Sequence, residues 1–428
     1  MKRLAPAALL ACALLLPSFA CVRANAAPTE RLGHLTSGAS YSLAADPDSP
    51  TAAIGLWLHV PASGYSFDSP GIADLAAHAL ADAPVVGGQS LREIVEGVGG
   101  TIEIEPSPNL LGISIVVPKA EASATVRALA EAYFTGTIDA KSLDEARRET
   151  SVRAVEERFN IESELQSRLF AALFSNGPMH APIYPNSASS LDAMHLQQVQ
   201  HYAERAFRPG NASLSFAGAV GASLLQQIAA MGRPGNDAPI ESSRVERAAT
   251  QSVRGSSPAI AIGFVGPPIS SRDDATALDF IASALLDRQL GRALPLPDGG
   301  IAVARFVTLQ GAGVFTIFGV GKDPRKMKGV LLEDLARLRT PLSRSRFDRL
   351  LRAFRFHLAS AIDVPQGLAD NLGWYAASGD AAYAPGLPGG QYARSISRLT
   401  PESVAAAVRR YLENPATILM TAVSEKSV

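Results

Sequence analysis

A carboxylate and an imidazole lie four residues apart in an otherwise apolar stretch, residues 71–80 (GIADLAAHAL). Asp74 and His78 are its only polar side chains, and positions i and i+4 share one face of an α-helix. The stretch follows a largely apolar run at residues 51–60, which predicts a buried strand followed by a buried helix. Two groups that can bind a metal ion would therefore project from the same face of this helix.

The same stretch matches part of the inverted zinc motif H-x-x-E-H. In that motif two imidazoles on one helix face bind the metal, and the glutamate activates a bound water. Here Asp74 occupies the first histidine position, Ala77 occupies the glutamate position, and only His78 is retained. Because an alanine cannot act as a general base, the helix is expected to lack this hydrolytic chemistry.

The composition predicts a folded protein of two or three domains. The chain has 428 residues, of which 47% are hydrophobic and 18% are charged, and its formal net charge is −1. At roughly 150 residues per domain, this length exceeds one ordinary core. The sequence has no run of basic residues, which argues against nucleic acid as a partner, since phosphates are bound by clustered Lys and Arg.

Residues 1–26 are predicted to be a signal peptide, so we expect an exported, periplasmic protein. Two basic residues precede an apolar run, and Ala24-Asn25-Ala26 fits a small-x-small cleavage site. The alternative is a lipoprotein with the lipid on Cys21. Cleavage after Ala26 would remove Cys12 and Cys21, the chain's two cysteines, and leave no disulfide. No later stretch reaches the ~18 apolar residues that a membrane span requires.

The order of predicted elements occurs twice along the chain. A strand, a helix, a strand pair, two helices and a closing strand are predicted at 51–60, 72–81, 101–117, 120–133, 141–158 and 212–220. The same order returns at 259–265, 275–290, 303–320, 327–338, 345–361 and 417–423. We infer an α+β protein with two homologous domains, each a mainly antiparallel sheet with helices packed on one face. The domains are placed at residues 27–230 and 256–428, with a polar linker at 231–255.

These features together resemble the pitrilysin/insulinase family of zinc metallopeptidases, in the short two-domain form that includes mitochondrial processing peptidase subunits. The family phrase G-L-A-H-F-L-E-H-M corresponds to residues 71–79, and its helix-ending Gly-Gly corresponds to Gly99-Gly100. Its Y-x-P-x-N phrase corresponds to Phe207-Arg208-Pro209-Gly210-Asn211. The resemblance covers residues 32–423 and implies an arrangement as one half of a clamshell around a chamber.

The resemblance also implies a distal carboxylate ligand on the long helix at residues 141–158. The aligned position falls at Val152 or Arg153, neither of which binds metal, while Glu149 and Glu156 lie one turn to either side. A residual metal site would combine one of these glutamates with Asp74 and His78. The alternative is a buried histidine with no metal, and glutamates that face solvent.

In the family, an Arg and a Tyr from the second half hold the substrate at the metal. Pro295 stands at the arginine position, and Ala302 or Val303 stands at the tyrosine position. Arg288 and Arg292 are displaced along the chain, and they are either substitutes or surface arginines at a helix end.

Peptide capture by strand addition needs no metal, because main-chain hydrogen bonds hold the peptide to a sheet edge. The candidate edge strand is residues 101–105, with Thr101, Ile102 and Glu103 as contact residues. The alternative is a half-buried strand whose Glu103 and Glu105 face water.

The sequence therefore suggests a catalytically inactive family member without zinc of its own. The favoured hypothesis is a non-catalytic subunit that pairs with an active homologue to form a peptide-degrading chamber, with unfolded peptides as ligands. The alternatives are a stand-alone periplasmic peptide-binding or scaffold protein, and a weak metalloendopeptidase with a rearranged metal site.

Overall fold

The computed structural model of the protein describes residues 29–85, 87–185, 187–233, 235, 243–246, 249–286, 294–296, 299–387 and 389–422. The predicted signal peptide, Cys12, Cys21, Arg288 and Arg292 lie outside these residues. Within the described ranges, no helix is both long enough and apolar enough to cross a membrane.

The first half is built on a sheet of β1 (Thr29–His34), β2 (Ser40–Ala45), β3 (Thr51–Leu58), β4 (Thr101–Pro106), β5 (Leu111–Pro118) and β6 (Ala212–Gly218). The strand order is β1-β2-β6-β3-β5-β4, and all neighbours are antiparallel except β2 and β6. Its helices are α1 (Ile72–Asp82), α2 (Leu91–Gly97), α3 (Ala122–Phe134), α4 (Ala140–Phe159), α5 (Ile161–Leu173), α6 (Ala188–Asp192), α7 (Leu196–Ala206) and α8 (Ala222–Ile228).

The second half repeats this plan with β7 (Thr250–Gly255), β8 (Ala259–Val265), β9 (Leu294–Pro295), β10 (Ile301–Val307), β11 (Val314–Val320) and β12 (Ala416–Ala422). The order is β7-β12-β8-β11-β10-β9, again with one parallel pair, β7 and β12. Its helices are α9 (Arg272–Leu286), α10 (Pro324–Arg337), α11 (Arg344–Ala361), α12 (Pro365–Ala377), α13 (Gln391–Arg398) and α14 (Pro401–Tyr411). The predicted α+β class with two mainly antiparallel sheets is confirmed.

In one central strand of each sheet, β3 and β8, bulky residues on one face alternate with mostly small residues on the other. In β3, Ile54, Leu56 and Leu58 pack into the core formed with the first half's own helices. Alternate residues point to opposite faces of a strand, so Ala53 and Gly55 lie on the other face. That face is covered by α12, which comes from the second half and packs on β3 and β6.

The second sheet shows the same division with the roles of the halves exchanged. In β8, Ile260, Ile262 and Phe264 face the second half's own core. Gly263 lies on the opposite face, where a Cβ atom would come within 2.8–2.9 Å of Leu169 and Leu173 on α5. A helix from each half therefore covers the sheet of the other half, so helices pack on both faces of each sheet.

Part of the second half was not predicted. No element was expected from the sequence at residues 362–399, where the structure has α12 and α13. At the end of the predicted 231–255 linker, β7 pairs with β12 along residues 250–255.

Aromatic side chains complete the contact between the halves. The indoles of Trp57 on β3 and Trp374 on α12 meet edge to face, with ring centroids 5.7 Å apart. Trp374 Nε1 also donates to the carbonyl of Thr308, 3.0 Å away. The helix can approach this closely because Gly373 has no side chain, and a Cβ atom there would overlap the Trp57 indole.

Gly373→Ala should destabilise the protein, because Trp57 would have to move to accommodate one methyl group. We expect a loss of about 1–3 kcal/mol, which is typical of overpacking in a core. Gly329→Ala is the matched control, since it lies in α10 with open space around it and should gain about 0.5–1 kcal/mol of helix propensity. Urea unfolding measures both, and a change of the same sign in both variants would contradict the close contact.

Candidate functional site

The helix α1 is buried along nearly its whole length, including its two polar residues. It begins after Gly71, whose φ of 86° favours glycine, and a Cβ atom there would lie 2.9 Å from Pro185. Asp74 and His78 are 2% and 1% exposed. Buried ionisable groups require partners, and these partners define the site.

Glu149 is the first partner. It projects from α4, and its Oε2 lies 3.0 Å from His78 Nδ1. On the other side of the ring, His78 Nε2 lies 3.4 Å from Asp74 Oδ1, without the alignment of a hydrogen bond. The structure thus brings together three of the sequence-predicted residues, whereas Glu156 is exposed on α4.

Arg153 is the second partner, and it stands at the place expected for a metal-binding carboxylate. Its Nη1 donates to Asp74 Oδ1 at 3.0 Å and to the carbonyl of Ile104 on β4 at 2.7 Å. The neighbouring Val152 is 59% exposed on the outer side of α4. Of the two aligned positions, 153 is therefore the one that faces α1.

A second guanidinium group, from Arg92 on α2, closes the cluster. Its Nε donates to Asp82 Oδ1 at 2.6 Å, and its Nη2 donates to Glu149 Oε2 at 3.0 Å. Its Nη2 also lies 3.0 Å from His78 Nδ1. A capping box between Ser90 and Glu93 fixes the start of α2 and hence the position of Arg92. The sequence analysis did not identify Arg92.

The charges within the cluster shift the pKa values of its members. Burial alone would lower the pKa of His78, but its contacts with Asp74 and Glu149 outweigh burial and raise it. The hydrogen bond from His78 lowers the pKa of Glu149, against the opposing effect of burial. When His78 is protonated, it carries, with Arg92 and Arg153, three positive charges opposite the three carboxylates of Asp74, Asp82 and Glu149.

This donor set does not fit a zinc ion. Asp74 Oδ1 and Glu149 Oε2, the atoms that would bind the metal, already accept hydrogen bonds from guanidinium groups. A divalent cation placed among them would meet two positive charges within a few ångströms. Among the described residues, no group of three or more His, Cys, Asp or Glu side chains is arranged to hold a metal ion.

The cluster lies on the wall of a cavity of about 1210 Å³ that both halves line. His78, Glu149 and Arg153 contribute from the first half, and Ser256 and Arg305 contribute from the second. Arg305 pairs with Glu162 across the halves at 2.6 Å. Arg305 was not predicted from the sequence. It lies two residues after Val303 in a predicted strand, and alternate residues of a strand share one face, so this spacing could have indicated it.

The predicted peptide-binding strand, β4, is at the edge of the first sheet. Within the described chain it pairs only with β5. Ile102 and Glu103 line the cavity, whereas Thr101 is exposed outside its lining. Glu105 is also exposed, and the carbonyl of Ile104 is already bonded to Arg153.

Pro295 and Val303, which stand where the resemblance implies an Arg and a Tyr, both lie in the second sheet. Pro295 is in β9, the edge strand of that sheet, and Val303 is in β10 opposite Phe318. Val303 packs against the apolar cluster that includes α5. The described lining of the cavity includes neither Pro295 nor Val303.

Solved structures with this fold include M16-like peptidases. A protease from Helicobacter pylori matches with a TM-score of 0.77 and 15% identity, covering 92% of this chain and 100% of that chain. An inactive M16 peptidase domain from Pseudomonas fluorescens matches with a TM-score of 0.74 and 17% identity, covering 92% and 98%. A chain of complex III2 from Candida albicans, with Inz-5 bound, matches with a TM-score of 0.74 and 12% identity, covering 93% and 97%.

At these identities the similarities establish the M16-like fold alone. No protein-family model matches the sequence, and no curated protein matches it.

Removing Arg153 should leave the Asp74 carboxylate buried without its main partner. An uncompensated buried charge costs roughly 3–5 kcal/mol, and because Arg153 is 27% exposed we expect Arg153→Met to cost somewhat less, about 2–4 kcal/mol. Adding Asp74→Asn should restore most of this loss. Arg148→Met, at an exposed position of the same helix, is the control, and an equal loss there in urea unfolding would contradict the pairing.

Replacing the guanidinium group by a ligand set should create a zinc site. In Asp74→His/Arg153→Glu, two imidazoles on α1 and a carboxylate on α4 would meet the requirement for three protein ligands. We expect about one zinc per chain by elemental analysis of the dialysed protein. Asp74→His/Val152→Glu is the matched control and should bind none, because residue 152 faces outward. Equal zinc in both variants would show that Arg153 does not mark the ligand position.

The His78–Glu149 contact should stabilise the protein most between about pH 4.5 and 6.5. The folded-state pKa of His78 is raised above its ordinary 6.5, so its contribution is complete below that pH and is lost as pH rises through the folded pKa. The pKa of Glu149 is lowered from 4.5, so its contribution is lost as pH falls through the folded pKa. His78→Gln should therefore lower the melting temperature most near pH 5.5 and least near pH 9. A loss that is independent of pH would contradict this assignment.

Proposed function

We propose that this chain is a non-catalytic subunit that pairs with a homologous, active zinc peptidase, so that the two chains enclose a chamber for peptide degradation. The observation that carries the proposal is the guanidinium group of Arg153 bonded to Asp74 at the place of a metal ion. In this proposal the chain has the peptidase fold, but the residues at the site form ion pairs with one another and do not bind a metal ion.

Two losses together support a non-catalytic role without a zinc cofactor. Ala77 provides no general base, and it is fully buried, with its carbonyl accepting a hydrogen bond from the Tyr133 hydroxyl. The carboxylates of Asp74 and Glu149 are neutralised within the protein. Restoring hydrolysis would therefore require changes at several positions.

The cavity and its edge strand support a continuing role with peptides. The cavity is large enough for several residues of an extended chain, and β4 offers main-chain groups along one wall. In a paired assembly, these features would guide a peptide toward the active site of the partner. The predicted signal peptide at residues 1–26 supports a periplasmic location for this assembly.

Affinity purification of the full chain from its native periplasm tests the proposal. We expect a homologous chain with an intact H-x-x-E-H motif to be recovered in equal amount, with peptidase activity and about one zinc per pair. His78→Ala in this chain should leave the zinc content of the pair unchanged. Recovery of this chain alone, as a monomer without activity, would contradict the subunit role.

The same preparation tests the weak metallopeptidase alternative. Zinc bound in equal amount to the isolated chain, and lost with His78→Ala, would establish a rearranged site of Asp74, His78 and Glu149.

A stand-alone periplasmic peptide-binding or scaffold protein is the second candidate, and the open edge of β4 favours it. In that case the isolated chain should bind fluorescent unfolded peptides without any partner. Arg153→Gln should raise the affinity, because it frees the carbonyl of Ile104 for the peptide. No peptide binding by either protein would exclude this role.

A further inference from the structure

The outward side of α11 carries a concentration of positive charge that the function proposed above does not use. The helix contains five arginines and one aspartate, a formal net charge of +4. Phe347, Leu350 and Phe354 anchor its inner side in the core of the second half. Its arginines are exposed, at positions 344, 346, 349, 352 and 355.

An exposed aromatic residue lies on the same helix face as two of these arginines, next to the last of them in the sequence. Phe356 is 65% exposed, and it follows Arg349 and Arg352 at spacings of seven and four residues, which places all three on one helix face. Arg346 and Arg355 flank that face. In the part of the chain that the structure describes, the guanidinium groups of Arg346, Arg352 and Arg355 have no hydrogen-bond or ion-pair partner.

The duplication supplies an internal comparison. Helix α4 occupies the equivalent place in the first half, with Arg148 corresponding to Arg352 and Val152 to Phe356, and both positions of each pair are exposed. It contains five basic and five acidic residues. The positive charge of α11 is therefore not a requirement of the fold, which accepts a helix of zero net charge at this place.

We propose that the outward face of α11 binds an anionic lipid surface. Clustered arginines on an amphipathic helix are attracted to the negative potential of anionic headgroups, and guanidinium groups form paired hydrogen bonds with phosphate. An exposed phenyl ring beside them can enter the boundary between headgroups and acyl chains, as the apolar residues of interfacial helices do. The ring favours a lipid surface over a DNA duplex, whose bases are stacked inside and leave no apolar layer for the ring to enter. Association would be peripheral and reversible.

Vesicle co-sedimentation of the full chain tests the proposal. All proteins carry Cys21→Ser, so that no attached lipid can hold them to the vesicles. We expect binding to vesicles of 30% phosphatidylglycerol in phosphatidylcholine at low salt, no binding to phosphatidylcholine alone, and release at high salt. Each arginine near such a surface contributes about fivefold in partition, so Arg352→Gln/Arg355→Gln should bind about 25-fold more weakly.

Single substitutions that change the net charge equally separate this face from the net charge of the chain. Arg352→Gln should weaken vesicle binding about fivefold, whereas Arg148→Gln on α4 should leave it unchanged. Phe356→Ser should weaken binding several-fold, whereas Val152→Ser should not. Circular dichroism and melting temperature confirm that each variant is folded. No binding of the parent protein to anionic vesicles, equal losses for the α4 and α11 variants, or preference for a DNA duplex over the vesicles would each overturn the proposal.

Discussion

A carboxylate and an imidazole in the middle of a buried helix must be compensated by positive charge. Asp74 and His78 stand on α1, with almost no contact with water, and isolated charges in such a place are costly. A divalent metal is one means of compensation, and it brings reactivity. This chain uses the guanidinium groups of Arg92 and Arg153, which provide charge and directional hydrogen bonds but no open coordination position. The bonds made by these two arginines link α1 to α2 and α4, and α4 to β4.

The second constraint is the way in which the halves cover one another. In β3 and β8, bulky side chains face the helices of the same half, and mostly alanine and glycine face a helix from the other half. Helices α12 and α5 therefore each pack on the sheet of the opposite half. A site built from both halves is then preorganised, because neither sheet is fully covered without the other half.

The sequence was sufficient for the repeated order of elements and for the class of fold. The strands could be predicted because their apolar runs are bounded by turn residues, and α1 could be predicted because Asp74 and His78 interrupt an apolar stretch. The two arginines that compensate the buried charges could not be predicted. Arg92 lies 14 residues from His78 and Arg153 lies 79 residues from Asp74, and only the packing of α2 and α4 on α1 brings them together. Helix α12 was missed for the same reason, since its partner is the sheet of the other half.

The repeated plan also allows the two equivalent helices α4 and α11 to be compared: they differ in the charge of their outer sides but not in the apolar character of their inner sides. The inner sides of α4 and α11 are held to small or apolar residues by the cores beneath them, and a change there would create a cavity or a clash. Their outer sides face solvent, where substitutions cost little stability. Helix α4 has balanced charge, and its edge toward the cavity carries residues of the ion-pair cluster, whereas α11 has five arginines and one aspartate. The two helices occupy equivalent places but differ in net charge, which indicates that they have separate uses. Helix α4 completes an internal site, and α11 faces outward.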